Sequence, residues 1–284
     1  MSRRGQIQLH LQKLNEIGAI MRAIKNVSLM ETHKLARFLD HQHRVVGGIE
    51  AAACDFVRHH PDLGMQAETD SAATILAIGA ERGFCGDFNE SVASALRHCL
   101  ATGSPKVLVV GSRLAAKLEG DQRVSAVLEG PNVVEEVPTV LESVMTKLAG
   151  LHAGDLQSLP LSVTVLSHRE AEEGVVAQPV SALPARAGTV TQEAYPPLLT
   201  LPAPALHRAL VRHYLWAQMH YLFYSSLMAE NRSRLQHMER AMQRMEEKAE
   251  EMGRRQNMLR QEEITEEIEI IMLNTGTLRV SGNS

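Results

Sequence analysis

Residues 235–252, LQHMERAMQRMEEKAEEM, decide the fold. Leu235, Met238, Met242, Met245, Ala249 and Met252 recur at alternating spacings of three and four, which places one narrow apolar stripe along a helix facing a single neighbour. The same seam runs back through Met228, Tyr224, Tyr221, Ala217 and Tyr214. Between Leu206 and Leu273 there is no proline, and the one glycine is Gly253. The stretch from Ala205 to Leu273 therefore reads as one helix of roughly 70 residues, on the order of 100 Å long. Its remaining faces carry Glu239, Arg240, Arg244, Glu246, Glu247, Lys248, Glu250, Glu251, Arg254 and Arg255, mixed in sign and largely spaced (i, i+4), as on a solvated helix surface.

Such a helix needs a partner, and the N-terminus supplies one. Ile7, Leu11, Leu14, Ile17, Ile20, Ile24 and Val27 follow helical spacing, and no proline occurs before Pro61, so residues 1–60 read as a second long helix. Arg3, Arg4, Lys13, Arg22, Lys25, Lys34, Arg37 and Arg44 make it locally basic, suited to acidic neighbours or to plain solvation. The two helices are expected to pair antiparallel, with Ile17, Ile20 and Ile24 near the last quarter of the C-terminal helix and Ile20 opposite Leu259.

Between them lies a segment of different periodicity. His60 to Ser71 is polar, with Pro61, Gly64 and Asp70. Ala73–Ile78 and Lys106–Val110 are short continuous apolar strands with a helical stretch, Phe88 to Ala101, between them, the βαβ arrangement of a parallel sheet. Arg123–Leu128 and Leu161–Leu166 read as further strands, Val134–Leu151 as a helix and Val175–Val180 as an edge strand. The proline-rich region from Leu183 to Pro204 leads back to the long helix. The fold class is thus α/β plus coiled coil: long antiparallel terminal helices around a central Rossmann-like parallel-sheet domain at 72–195, a C-terminal helix at 205–274 and a poorly ordered tail at 275–284.

Composition narrows the function. The chain has 284 residues, 44% apolar but only 4% aromatic, which suits helices packed through thin seams. A net charge of −4 gives no global case for nucleic acid. Three cysteines without a CxxC pair and no apolar signal segment suggest a reducing compartment, and no run of eighteen apolar residues suggests a membrane span. None of the thirteen histidines joins a Cys or carboxylate at ligand spacing, so neither a metal nor a cofactor is expected. After the first strand comes a glycine-bearing turn, Gly79-Ala-Glu-Arg82-Gly83-Phe84-Cys85-Gly86-Asp87-Phe88-Asn89. Such turns can cradle phosphate, but the spacing is not GxGxxG and no Lys-Ser/Thr follows, so it reads as a structural turn, or a partner contact, before a phosphate site.

These residues resemble the gamma subunit of rotary F-type ATP synthases over essentially the whole chain. Arg82, Gly83, Cys85, Gly86 and Asn89 are similar to the family's RGLCGxxN. Glu230, Arg234, Met238, Ala241, Asn257, Arg260, Gln261, Ile264, Thr265 and Glu267 fall in register with its E…R…M…N..RQ..ITxE pattern. Ile7, Ile20, Ala23 and Val27 sit where the family's ITKAMxMVA stretch would place them. Ile24 replaces a methionine, Gly86-Asp87-Phe88 replaces Gly-Gly-Leu, and Leu273 to Ser284 lacks the Gly/Ala-rich ending, as in a divergent branch; there is no dithiol insertion, so thiol control is not expected.

The resemblance implies a central-stalk shaft, itself non-catalytic, that couples ion flow through the c-ring to ATP chemistry on the alpha and beta subunits. It implies alpha, beta, epsilon and c-ring as partners. The location implied is peripheral, at the cytoplasmic face of the inner membrane, with the membrane touched only through the complex. It places Arg260, Gln261, Thr265 and Glu267 at a beta-subunit catch contact, Ile264, Ile268, Ile271 and Met272 in an apolar sleeve, and Ile20, Ile24, Val27, Arg234 and Met238 in coiled-coil coupling. The competing readings are a nucleotide-binding enzyme on a helical dimerisation stalk and an unrelated coiled-coil scaffold. In residues 72–195 no paired carboxylates, nucleophile–base constellation or phosphate loop supports the enzyme.

Overall fold

A computed structural model describes residues 3–64, 74–101, 103, 105–151, 163–169, 174–180 and 198–280. Most of the expected polar linker after Gly64, most of the proline-rich return, the start of the strand expected from Leu161 and the last four residues of the tail lie outside that set. The chain divides into two compact units, Met1–Val27 with Gln236–Ser284, and Ser28–Leu235.

The first unit is a helical pair formed by the start of α1 (Arg3–His59) and the end of α6 (Ala203–Val280). Arg4 Nη1 meets Glu263 Oε2 at 3.1 Å and Lys25 Nζ meets Glu239 Oε1 at 2.9 Å, so moving up one helix moves down the other and the pair is antiparallel. On α6 the expected seam holds: Met238 is fully buried, and Met242, Met245, Ala249 and Met252 are half-buried. On α1 the phase differs from the sequence expectation. The inward positions are Ile7, Leu11, Leu14, Gly18, Met21 and Ile24 with Lys25, a strict three-four repeat. Ile17 and Ile20 are turned outward, 48% and 61% exposed, and so is Val27. The register differs as well. A Cβ built on Gly18 would lie 3.8 Å from Met245 Cε, which puts Ile20 about four helical turns from Leu259.

The second unit is a sheet domain gripped by the inner halves of the same helices. After a single turn, α2 (Pro61–Gly64), the elements are β1 (Thr74–Ile78), α3 (Phe88–Leu100), β2 (Lys106–Val110), α4 (Ser112–Ala115), β3 (Val124–Leu128), a 3-10 turn at Val134–Glu136, α5 (Val137–Leu151), β4 (Val163–His168) and β5 (Val175–Val180). Strand order is β3-β2-β1-β4-β5. The first four strands are parallel, with Ile75 opposite Val107 and Thr164, but β5 runs antiparallel to β4, pairing Val163 with Val180. The sheet is therefore mixed rather than all-parallel, and Pro179 sits on the edge strand, where its missing N–H does not break a central ladder.

Both faces of the sheet are covered, which is why β1 is buried at every position. Leu76, Ile78, Leu108 and Val165 pack with Leu141 and Val144 of α5, Leu35 of α1 and Met219, Phe223 and Leu227 of α6. Ile75, Ala77, Val107 and Val109 face Val92 and Leu96 of α3 and Leu114 of α4. From Leu222 to Met228 α6 is buried at every residue, as a central helix of a domain rather than a two-stranded seam. Inside this unit α1 and α6 are again antiparallel: Phe38 meets Tyr224 at 5.5 Å between ring centroids, Gln42 Nε2 donates to the Ala217 carbonyl at 2.8 Å, and Tyr214 donates to Glu50 at 3.0 Å.

Candidate coupling surfaces

The glycine turn after β1 is bound to α6, residue by residue. Arg234 Nε donates to the Gly83 carbonyl at 3.2 Å and Ser233 Oγ donates to the Cys85 carbonyl at 2.7 Å. Arg234 Nη2 reaches Cys85 Sγ at 3.2 Å and also pairs with Glu230, while Nη1 donates to Asn231 Oδ1 at 3.0 Å. Glu230, Asn231 and Arg234 are all buried. Burial pushes the Glu230 carboxyl above its usual range, against the pull of Arg234 and of the Arg82 backbone N–H. Burial likewise pushes the Cys85 thiol up to about 12, with Arg234 opposing. A thiol so held is inert, and a charge pair so placed fixes one arrangement of turn and helix.

The rest of the turn serves the same end. Asn89 is buried and accepts the Ala80 N–H at 2.8 Å, closing the loop onto the start of α3. A Cβ on Gly79 would fall 2.3 Å from Leu114 Cβ, so only glycine fits. Gly86 adopts φ 60°, and Phe84 is held at φ 66°, an uncommon conformation for a bulky side chain, with its ring 61% exposed. Arg82 is exposed, its Nε bonded to Asn132 Oδ1 at 2.8 Å.

Ligands of open α/β sheets bind outside the carboxyl ends of the strands. Here Glu81 lies across that edge, accepting from Ser112 N at 2.9 Å, Ser112 Oγ at 2.6 Å and Gly130 N at 2.7 Å. Burial alone would raise its pKa, but the hydrogen bonds from Ser112 and Gly130 outweigh that and hold the carboxyl below its usual range. The amides a phosphate would use are engaged by the chain's own carboxylate. Sequence reading missed Glu81 and Ser233, because each acts on a partner far away in the chain and neither belongs to a motif.

At the outer end of α6, Arg260, Gln261, Ile264, Thr265, Glu267, Ile268, Ile271 and Met272 are all exposed. Thr265 Oγ1 donates to the Gln261 carbonyl at 2.9 Å. Ile264, Ile268 and Ile271 share one face. Among the described residues, no group of His, Cys, Asp and Glu could hold a metal ion, and no helix is long and apolar enough to cross a membrane.

Residues 4–273 match the ATP synthase family. No curated protein matches the sequence. Solved structures that share the fold include the following three. A chain of the Tetrahymena thermophila mitochondrial ATP synthase central stalk and c-ring has TM-score 0.56 at 18% identity, covering 78% of this chain and 99% of that one. A chain of the Euglena gracilis mitochondrial ATP synthase OSCP/F1/c-ring assembly has TM-score 0.61 at 14% identity, covering 99% and 96%. A chain of the Euglena gracilis rotor has TM-score 0.55 at 13% identity, covering 92% and 98%.

Proposed function

The chain belongs to the ATP synthase family as a gamma-type, central-stalk subunit, and from that premise we propose that it is a non-catalytic shaft turning inside a ring of alpha and beta subunits. The observation that carries this reading is the antiparallel pairing of α1 and α6 in the outer unit, tied at Arg4–Glu263 and Lys25–Glu239. Two helices closed along a continuous seam resist twisting, because any relative rotation strains many contacts at once. The sheet domain is the seat of the shaft, resting with epsilon on the c-ring, so the protein is peripheral to the cytoplasmic face of the membrane. Glu230 and Arg234 then pass torque from the sheet domain into α6, and the outward Ile20 and Val27 of α1 face the ring.

Arg260 offers a planar fork of donors to an acidic loop of a beta subunit, and Gln261 adds an uncharged hydrogen bond beside it. Arg260→Ala should leave folding within about 0.5 kcal/mol, as for other exposed charges. In the reconstituted complex the same change should lower ATP-driven ion pumping relative to ATP hydrolysis. Unchanged coupling in both Arg260→Ala and Arg260→Ala/Gln261→Ala would remove the catch contact and leave a purely steric shaft.

A further inference from the structure

The outer end of α6 carries two stripes. Ile264, Ile268 and Ile271 follow one another at four and three residues, and so do Glu262, Glu266 and Glu269. The second stripe begins two residues before the first, which places it about 200° round the helix, on the opposite side. Ile264 and Ile268 are 46% and 52% exposed, and the three glutamates are exposed with them. Among the described residues the outermost tie to α1 is Arg4–Glu263, and no lysine or arginine pairs with Glu262, Glu266, Glu267 or Glu269. From Gln261 to Met272 there are five glutamates and no basic residue.

An apolar stripe of this kind is stabilised by enclosure, but enclosure takes the facing carboxylates out of water. Carboxylates buried without a cation are strongly unfavourable, and among the described residues this chain supplies none to these three. We propose that the protein collar receiving this end of α6 is basic as well as apolar, with lysine or arginine side chains at the depth of Glu262, Glu266 and Glu269. The inference rests on the shaft reading and adds the charge of the partner surface. It is separate from the Arg260 contact, since Arg260 precedes Glu262 by two residues and belongs to neither stripe.

The test compares the full-length chain with its Glu262→Gln/Glu266→Gln/Glu269→Gln variant, measuring association with the purified alpha–beta ring at 50 and 500 mM NaCl. These side chains are exposed, so circular dichroism should show unchanged helix content. Paired charges steer association and are screened by salt. The variant should associate about threefold or more slowly than wild type at low salt, and the two rates should converge at high salt. Ile268→Ser should shorten the lifetime of the complex at both salts. Equal rates for variant and wild type at both salts, or a faster variant, would overturn the basic collar while leaving the shaft intact. Failure of the wild-type chain to associate at any salt would overturn the shaft reading and this inference with it.

Discussion

Arg234 donates from Nε to the carbonyl of Gly83, 3.2 Å away and 151 residues earlier in the chain. That bond, with the contacts from the same guanidinium to Cys85 and Glu230, makes the turn after β1 and the middle of α6 one rigid piece. A force on the sheet domain at this turn is a force on the helix.

Removing Arg234 leaves Glu230 buried without a counter-charge. Arg234→Ala should therefore destabilise the sheet-bearing unit by about 3–5 kcal/mol, the usual cost of breaking a buried pair from one side. Glu230→Gln/Arg234→Met should cost clearly less, since it removes both charges. Urea unfolding monitored at Trp216, which packs against the core of this unit, gives the comparison. A loss below about 1 kcal/mol in Arg234→Ala would mean that the pair is as loose as a surface ion pair.

His168 stacks on Phe88, with ring centroids 4.1 Å apart, and its Nε2 donates to the Phe88 carbonyl at 3.0 Å in the neutral form. Burial lowers its pKa, against the Phe88 and Gly174 backbone contacts and the carboxylate of Asp87. The unfolded chain then takes up a proton near the ordinary histidine value while the folded chain does not, so this stability is present above about pH 6.5 and lost as pH falls below it. His207, also lowered by burial, acts with the same sign. Wild type should lose more stability between pH 7.5 and 5.5 than His168→Phe, in urea titrations at each pH. Parallel pH profiles for the two proteins would show that His168 titrates as in solvent.

Gly18 occupies a seam position, beside a cavity of about 50 Å³ lined by Leu14, Arg22, Met242, Met245 and Ala249. A Cβ there would sit at ordinary contact distances, 3.7 Å from Arg22 Nη1 and 3.8 Å from Met245 Cε. Gly18→Ala should stabilise the outer helical pair by about 0.5–1 kcal/mol through helix propensity alone. Thermal unfolding followed at 222 nm reads the gain. A lower melting temperature in Gly18→Ala would show that the seam is closed more tightly at this point than the cavity indicates.

The elements themselves were legible because their signals are local. Continuous apolar runs marked β1 and β2, and unbroken three-four spacing marked both long helices. The phase of α1 was not legible. Ile17, Ile20 and Val27 form, with the half-buried Ile24, an apolar stripe one residue ahead of the seam used, Leu14, Gly18 and Met21 with Lys25, and a glycine and a lysine hide the true seam. With the phase misread, and with mixed charges compatible with several pairings, the register against α6 was misplaced by about four turns. The direction of β5 could have been read. Only six residues separate His168 from Val175, too few for the crossover that a parallel pair requires. In the coupling surfaces, Arg234 and Cys85 stood out by resemblance, but their contact did not, since nothing in sequence spacing joins residues so far apart.

A chain that turns as a shaft can be watched turning. Glu119, exposed in the sheet-bearing unit, can be changed to cysteine in a Cys54→Ser/Cys99→Ser background and tagged with a gold rod. The alpha–beta ring reconstituted with this chain is then immobilised and supplied with ATP. The rod should rotate stepwise in one direction at a rate that follows ATP hydrolysis. A ring that hydrolyses ATP at full rate while the rod on the stably bound chain stays still would contradict the shaft reading.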